Sequence, residues 1–197
     1  MKAFTTAALL VAAASARSSP LRIRQTDDAK YTILPNELAS HDVIAGTNFP
    51  AAGTNTARNG GAETSTLYQV SFPQSVAGLT CAARFFSGLA SDSVVGTGEL
   101  DFFSTGIAQD LNDQHSGNVR DQGLGRIAFV PGQSGDFVAD PNVPFVYAGG
   151  FPCPAGQTFV LESAAVGEFD VVSVGQDFAG AWTPADGTPN GLSFVAY

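Results

Sequence analysis

The chain has 197 residues and a formal net charge of −9, with 22 glycines, 15 phenylalanines, 2 cysteines and a single tryptophan. That length is one domain's worth of chain, enough to bury a core of its own. From Tyr31 onward the only basic residues are Arg58, Arg84, Arg120 and Arg126, and such an acidic body excludes nucleic acid and anionic lipid as electrostatic partners.

In chain order, Lys2 precedes an apolar run from Ala7 to Ala14, and Ala14-Ser15-Ala16 puts small residues where a signal peptidase cuts. Residues 1–16 therefore read as a secretory signal, and the apolar run is too short to span a bilayer. No later stretch is apolar enough to cross one, and the end at Gly191–Tyr197 lacks the hydrophobic tail of a lipid-anchor signal. Residues 17–45 read as an N-terminal arm or a short propeptide, with Tyr31–Leu34 a short strand pinning it to the domain. Residues 46–197 are the expected domain. Its first stretch, Gly46 to Thr66, is built from Gly, Ala, Thr and Asn and reads as a long loop.

The strand pattern then begins. Tyr68, Val70 and Phe72 alternate with Gln69 and Ser71, a half-buried strand closed by Pro73. Further strands are expected at Thr80–Phe86, Glu99–Phe103, Arg126–Val130, Val143–Tyr147, Gln157–Glu162, Glu168–Val174 and Leu192–Ala196. Ser91–Gly98 and Asn112–Gly125 read as polar loops. Short strands between Gly/Pro/Asp turns, with no sustained 3.6-residue period, define an all-β class. The expected architecture is an antiparallel β-sandwich, jelly-roll-like, with long Gly-rich loops and little helix. In a secreted chain Cys81 and Cys153 most simply form one disulfide, with a free or intermolecular thiol as the alternative.

The candidate chemistry is sparse. His41 beside Asp42, and His115 after Asp113, would need a serine and an acid to make a hydrolytic triad, and no Gly-x-Ser-x-Gly elbow is present. The common role for such residues is a solvated loop histidine. Asp110, Asp113 and Asp121 offer oxygen ligands, but their loop lacks the glycine and glutamate of a calcium-binding hand, so no metal is assigned. Glu99/Asp101 and Glu168/Asp170 are spaced to share one strand face, a pattern that fits a glycosidase pair or simple solvent-side alternation. Trp182, Tyr68, Tyr147 and Tyr197 could stack on sugar faces. Trp182 and Tyr147 are the candidate ligand contacts, although a lone tryptophan is more often a plug at the core edge. No catalytic residue and no cofactor are assigned. No Asn-x-Ser/Thr triplet occurs, so N-glycosylation is not expected.

Several segments, taken in order, resemble the But2 C-terminal-domain-like family of fungal secreted and cell-wall proteins. These are Phe72-Pro73, Gly78-Leu-Thr80-Cys81, Gly98-Glu-Leu-Asp101-Phe-Phe103, Cys153-Pro-Ala-Gly156, Gln176-Asp177 and Gly191-Leu192, spread over Gly46 to Tyr197. The resemblance implies a β-sandwich, an extracellular or wall location and no established catalytic activity. The association with a ubiquitin-like activating component in the family's name is at odds with a signal peptide, and no wall anchor is carried. The expected function is a secreted, non-enzymatic surface or cell-wall protein contacting wall polysaccharide. The alternatives are a glycan hydrolase using a carboxylate pair and a host-directed, allergen-like protein binding a host protein.

Overall fold

The computed structural model describes residues 29–59, 61–106, 111–112, 117–129 and 135–197. The expected signal peptide, the first part of the arm, Asp110, Asp113 and His115 lie outside the described residues. The strands in chain order are β1 (Tyr31–Ile33), β2 (Glu37–Asp42), β3 (Thr47–Pro50), β4 (Gly53–Asn59), β5 (Ala62–Ser71), β6 (Thr80–Phe86) and β7 (Ser93–Val95). They continue with β8 (Glu99–Thr105), β9 (Arg120–Phe129), β10 (Phe137–Ala139), β11 (Phe151–Pro152), β12 (Thr158–Ala165), β13 (Val171–Gly175) and β14 (Gly191–Ala196). Two short 3-10 turns, Gln74–Val76 and Pro184–Asp186, are the helical elements among the described residues.

The chain folds as an all-β, antiparallel, sandwich-like structure. A small sheet runs β1-β14-β6-β11, and a larger one runs β10-β9-β8-β12-β5-β4-β13-β7, with β2 and β3 added beside β5. Strand β5 organises the larger sheet. One edge pairs with β12 through Thr66–Ser71 and then with β4 through Ala62–Thr64, while the other edge pairs with β2. The split edge curls the sheet, so Val172 and Val174 of β13 reach the same core as Phe102 and Ile127.

Period-two alternation explains what each strand buries. Strand β6 sends Cys81, Ala83 and Phe85 inward, and β14 sends Leu192, Phe194 and Ala196 to meet them. Strand β5 contributes Tyr68 and Val70 from the opposite sheet. Aromatic rings fill the space between the sheets: Phe85 meets Phe137 at 4.8 Å and Phe72 meets Phe194 at 5.1 Å between ring centres, within the range where edge-to-face pairs are favourable. The Tyr68 hydroxyl, fully buried, bonds Thr54 of β4 at 2.6 Å and Ser163 of β12 at 3.0 Å. A second, smaller cluster covers the outer face of the larger sheet, where Leu111 and Val119 close over Ala39, Leu67 and Val160.

The short strand expected at Tyr31–Leu34 is β1, paired with β14, and the arm also holds β2, paired with β5. Other sequence expectations shift. The expected loop at Ser91–Gly98 holds β7, and β9 begins at Arg120, inside the expected loop Asn112–Gly125. The expected loop at Gly46–Thr66 holds β3, β4 and the first part of β5, and its Thr54 and Thr56 are buried. Val143–Tyr147 is no strand. Pro144 makes an isolated bridge to Arg126, and Phe145 plugs the core against Phe102 at 5.0 Å.

Cys81 and Cys153 form the disulfide, with Cα atoms 5.0 Å apart across a sequence separation of 72. It ties β6 to the residue after β11, whose Phe151 is registered on Cys81. Opening this cross-link frees a long loop in the unfolded chain, worth roughly 4 kcal/mol on the chain-entropy model. Cys81→Ser, or full reduction, should lower unfolding free energy by about that amount in urea titrations at neutral pH. An unchanged midpoint would contradict a stabilising role for the bond.

Candidate functional site

The outer face of the larger sheet carries a buried charge. Glu162 of β12 points away from the hydrophobic core yet is fully covered. Arg120 of β9 reaches it with Nε at 2.9 Å and reaches Glu63 of β5 with Nη2, its guanidinium lying 4.7 Å over the Phe103 ring. Glu162 Oε2 has no hydrogen-bond partner among the described residues. Burial pulls the Arg120 guanidinium down, but the hydrogen bonds and charges of Glu63 and Glu162 together hold it above its ordinary value. The result is a structural ion pair around a fully buried Glu162.

His41, expected in a solvated loop, is fully buried on β2. Its Nε2 donates to the Gly117 carbonyl at 2.8 Å, and Nδ1 contacts the Asn48 side chain at 2.6 Å. Ser65 lies directly across from it in register, and Ser65 Oγ has no partner among the described residues. The His41 ring nitrogens are thus both engaged elsewhere, so the adjacent serine and histidine do not form a nucleophile–base hydrogen bond.

The two carboxylate pairs separate. Glu99 and Asp101 share the outer face of β8 as expected, and both serve one cation: Arg126 contacts Asp101 at 2.7 and 3.0 Å and Glu99 at 3.5 Å. Glu168 and Asp170 do not share a strand, because β13 begins only at Val171. Asp170 instead clamps two turns. Its carboxylate accepts from the Thr97 N–H at 2.8 Å, the Thr97 hydroxyl and the Gly167 N–H at 2.9 Å. A side chain at Gly96 would meet Asp170 Oδ1 at 1.8 Å, so this approach needs glycine there. Burial pushes the Asp170 carboxyl up, but these hydrogen bonds outweigh it and hold it below the ordinary aspartate value. Asp121 is exposed on β9. Among the described residues no group of three or more His, Cys, Asp or Glu side chains gathers to hold a metal.

The aromatic candidates do not form one platform. Tyr68 belongs to the core. Tyr147 packs against Phe145, Phe151 and Phe194, and the space beside it is about 10 Å³, no more than one water occupies. Trp182 alone lies at a ligand-sized opening. It borders a groove of about 540 Å³ with Thr32, Asn36, Ser71, Pro73 and Pro184, within the size range of small-molecule sites. The floor is the buried Ile33 and Phe72.

Local chemistry fixes this groove. The Ala179 N–H donates to the Pro35 carbonyl at 3.1 Å, tying the Trp182 loop to the chain before β2. Asp186 closes the next turn by accepting from the Thr183 N–H at 2.8 Å and the Thr183 hydroxyl at 2.9 Å, which holds its carboxyl below the ordinary value. Asn36 Oδ1 accepts from the Ser71 N–H at 2.9 Å at the end of β5. Trp182 Nε1 is covered and has no partner among the described residues. Asn36, Thr32, Ser71 and Pro73 carried no sequence signal for a site, because pairing of distant segments brings them to Trp182. A second cleft of about 380 Å³, beside Thr54, Asn55 and Ser173, has no aromatic wall, and its Asp92 carboxylate is taken up by Ser87, Leu89, Gly175 and Asn190.

No protein-family model matches this sequence, and no curated protein matches it. No helix among the described residues is long and apolar enough to cross a membrane.

Removing Arg120 would leave Glu162 buried without a cation. Arg120→Ala should therefore destabilise the fold by about 3 kcal/mol in chemical denaturation, and the double variant with Glu162→Gln should recover part of the loss. An unshifted midpoint for Arg120→Ala would refute the pair. For Asp170, the folded-state value lies below the unfolded one. Its contribution is thus fully present above about pH 4 and fades as pH falls through the folded value. Asp170→Asn should be less stable than the parent at neutral pH, and the gap should close in acid. A gap independent of pH would contradict the assignment.

Proposed function

We propose that this protein is a secreted, non-enzymatic surface or cell-wall protein that contacts wall polysaccharide at the groove beside Trp182. The observation that carries this reading is the groove itself: an indole, two prolines and uncharged polar groups at a ligand-sized opening on a disulfide-bonded sandwich. Aromatic faces pack on the apolar faces of sugar rings, and amide and hydroxyl groups hydrogen-bond to their rims. The sequence supports the location. An apolar leader with small residues at 14–16 fits export, and a disulfide suits an oxidising exterior. The ordered segments that resemble the But2 C-terminal-domain-like family point the same way. The sequence-expected carboxylate pair at Glu99 and Asp101 is committed to Arg126, which favours a binding role over glycan hydrolysis.

The test is retention of the disulfide-bonded chain on insoluble chitin and β-glucan, with a heat-denatured control. The native chain should be retained and the denatured chain should not, and Trp182→Ala should lose most of the retention while keeping the parent's melting temperature. Equal absence of native and denatured chain from both polymers would end the wall reading and move the weight to a host-directed role.

A further inference from the structure

Resting on the polysaccharide reading above, we infer that the groove beside Trp182 is selective for uncharged saccharides that present oxygen acceptors, and that Asn36 is the residue that reads them. Among the described residues, no ionisable side chain lines this groove. The arginines of the folded body are all engaged within the chain: Arg84 with Asp136, Arg120 with Glu63 and Glu162, Arg126 with Asp101 and Glu99, and Arg58 with the Val166 carbonyl. A uronate or sulfated sugar, or the ammonium of a deacetylated amino sugar, meets no counter-charge among the described residues that line the groove. Covering such a charge without a partner is costly, so neutral rings are the ones that fit.

The unused hydrogen-bonding groups define the complementary half. Asn36 spends its Oδ1 on the Ser71 N–H at 2.9 Å, which orients the amide. Its two Nδ2 hydrogens have no partner among the described residues, and Asn36 is exposed. An amide held this way presents its Nδ2–H groups as donors, beside an oxygen that keeps one lone pair. Trp182 contributes its ring to the groove and not its Nε1–H, which is covered. Opposite the Asn36 donors stand apolar walls, with Pro73, Pro184 and the Trp182 ring around the Phe72 floor. A pyranose with a C–H face and rim oxygens satisfies both halves at once, whether the oxygens are hydroxyls of a β-glucan or acetamido carbonyls of a chitin oligomer.

The test is calorimetric titration of the disulfide-bonded chain with laminaritriose, triacetylchitotriose, trigalacturonate and fully deacetylated chitotriose, at low salt and at about 0.5 M salt, where exposed charge pairs are screened. At least one neutral trimer should bind, with an affinity that salt leaves unchanged, and the charged trimers should not bind at high salt. Asn36→Asp keeps the acceptor for Ser71 but removes the donors and adds a charge. It should weaken the neutral ligand by about tenfold or more and gain affinity for deacetylated chitotriose. Melting temperatures near the parent's verify that the variant folds. Tighter binding of either charged trimer than of both neutral ones at high salt, or parent-like binding by Asn36→Asp, would overturn the inference. If the parent is retained on wall polymer yet Asn36→Asp and Trp182→Ala are retained equally, wall contact stands and the groove assignment fails. If the parent is retained on neither polymer and binds neither neutral trimer, both readings fall together.

Discussion

The register of β5 is the constraint on which the rest of the molecule depends. This strand is covered on both faces, by the Tyr68 and Val70 core on one side and the Leu67 cluster on the other. Three strands take their alignment from it, and the Tyr68 hydroxyl fastens two of them, β4 through Thr54 and β12 through Ser163. A slip of one residue would exchange the two faces, driving Gln69 and Ser71 into the aromatic core and leaving the Tyr68 hydroxyl without its buried partners. The same strand ends at Ser71, whose N–H is held by Asn36. The groove wall is therefore an extension of the β5 register and not an independent loop feature.

The two sheets are held by different means. Rings interlock between them: Phe85 of the small sheet meets Phe102 and Phe137 of the large one, and Phe194 meets Phe72 just past the end of β5. The disulfide acts within the small sheet, where β11 is only two residues long and pairs with β6 alone. A pairing that short has little cooperative support of its own, and the Cys81–Cys153 link compensates. At the far end of the large sheet, Asp170 ties the turn before β8 to the turn before β13, with glycines at 96 and 167 where side chains would collide with its carboxylate. The acidic body thus keeps several of its carboxylates in structural roles.

Fold class was legible in the sequence wherever one face of a strand is apolar. Strand β6 matches its sequence expectation from Thr80 to Phe86, and β14 begins one residue early, because Cys81/Ala83/Phe85 and Leu192/Phe194/Ala196 alternate cleanly. Strand β4 was missed because its buried residues, Thr54 and Thr56, are polar, and β2 because its two apolar residues, Leu38 and Ala39, are adjacent and face opposite clusters beside a buried His41, so no hydrophobic period records either strand. Val143–Tyr147 misled for the opposite reason. Its apolar spacing reflects Phe145 entering the core from an irregular segment. At the candidate site, Trp182 stood out as the lone tryptophan in a Gly/Pro-rich stretch. Asn36 and Ser71 did not, since their significance arises only when β5 ends beside the segment before β2.

The chain's only tryptophan is Trp182, so its intrinsic fluorescence reports on the proposed groove without a label. Titration with neutral laminari- and chito-oligosaccharides should give a saturable change in emission and should protect the indole from a neutral collisional quencher. Emission and quenching that stay constant at oligosaccharide concentrations which displace the chain from insoluble polymer would place binding elsewhere and contradict the account.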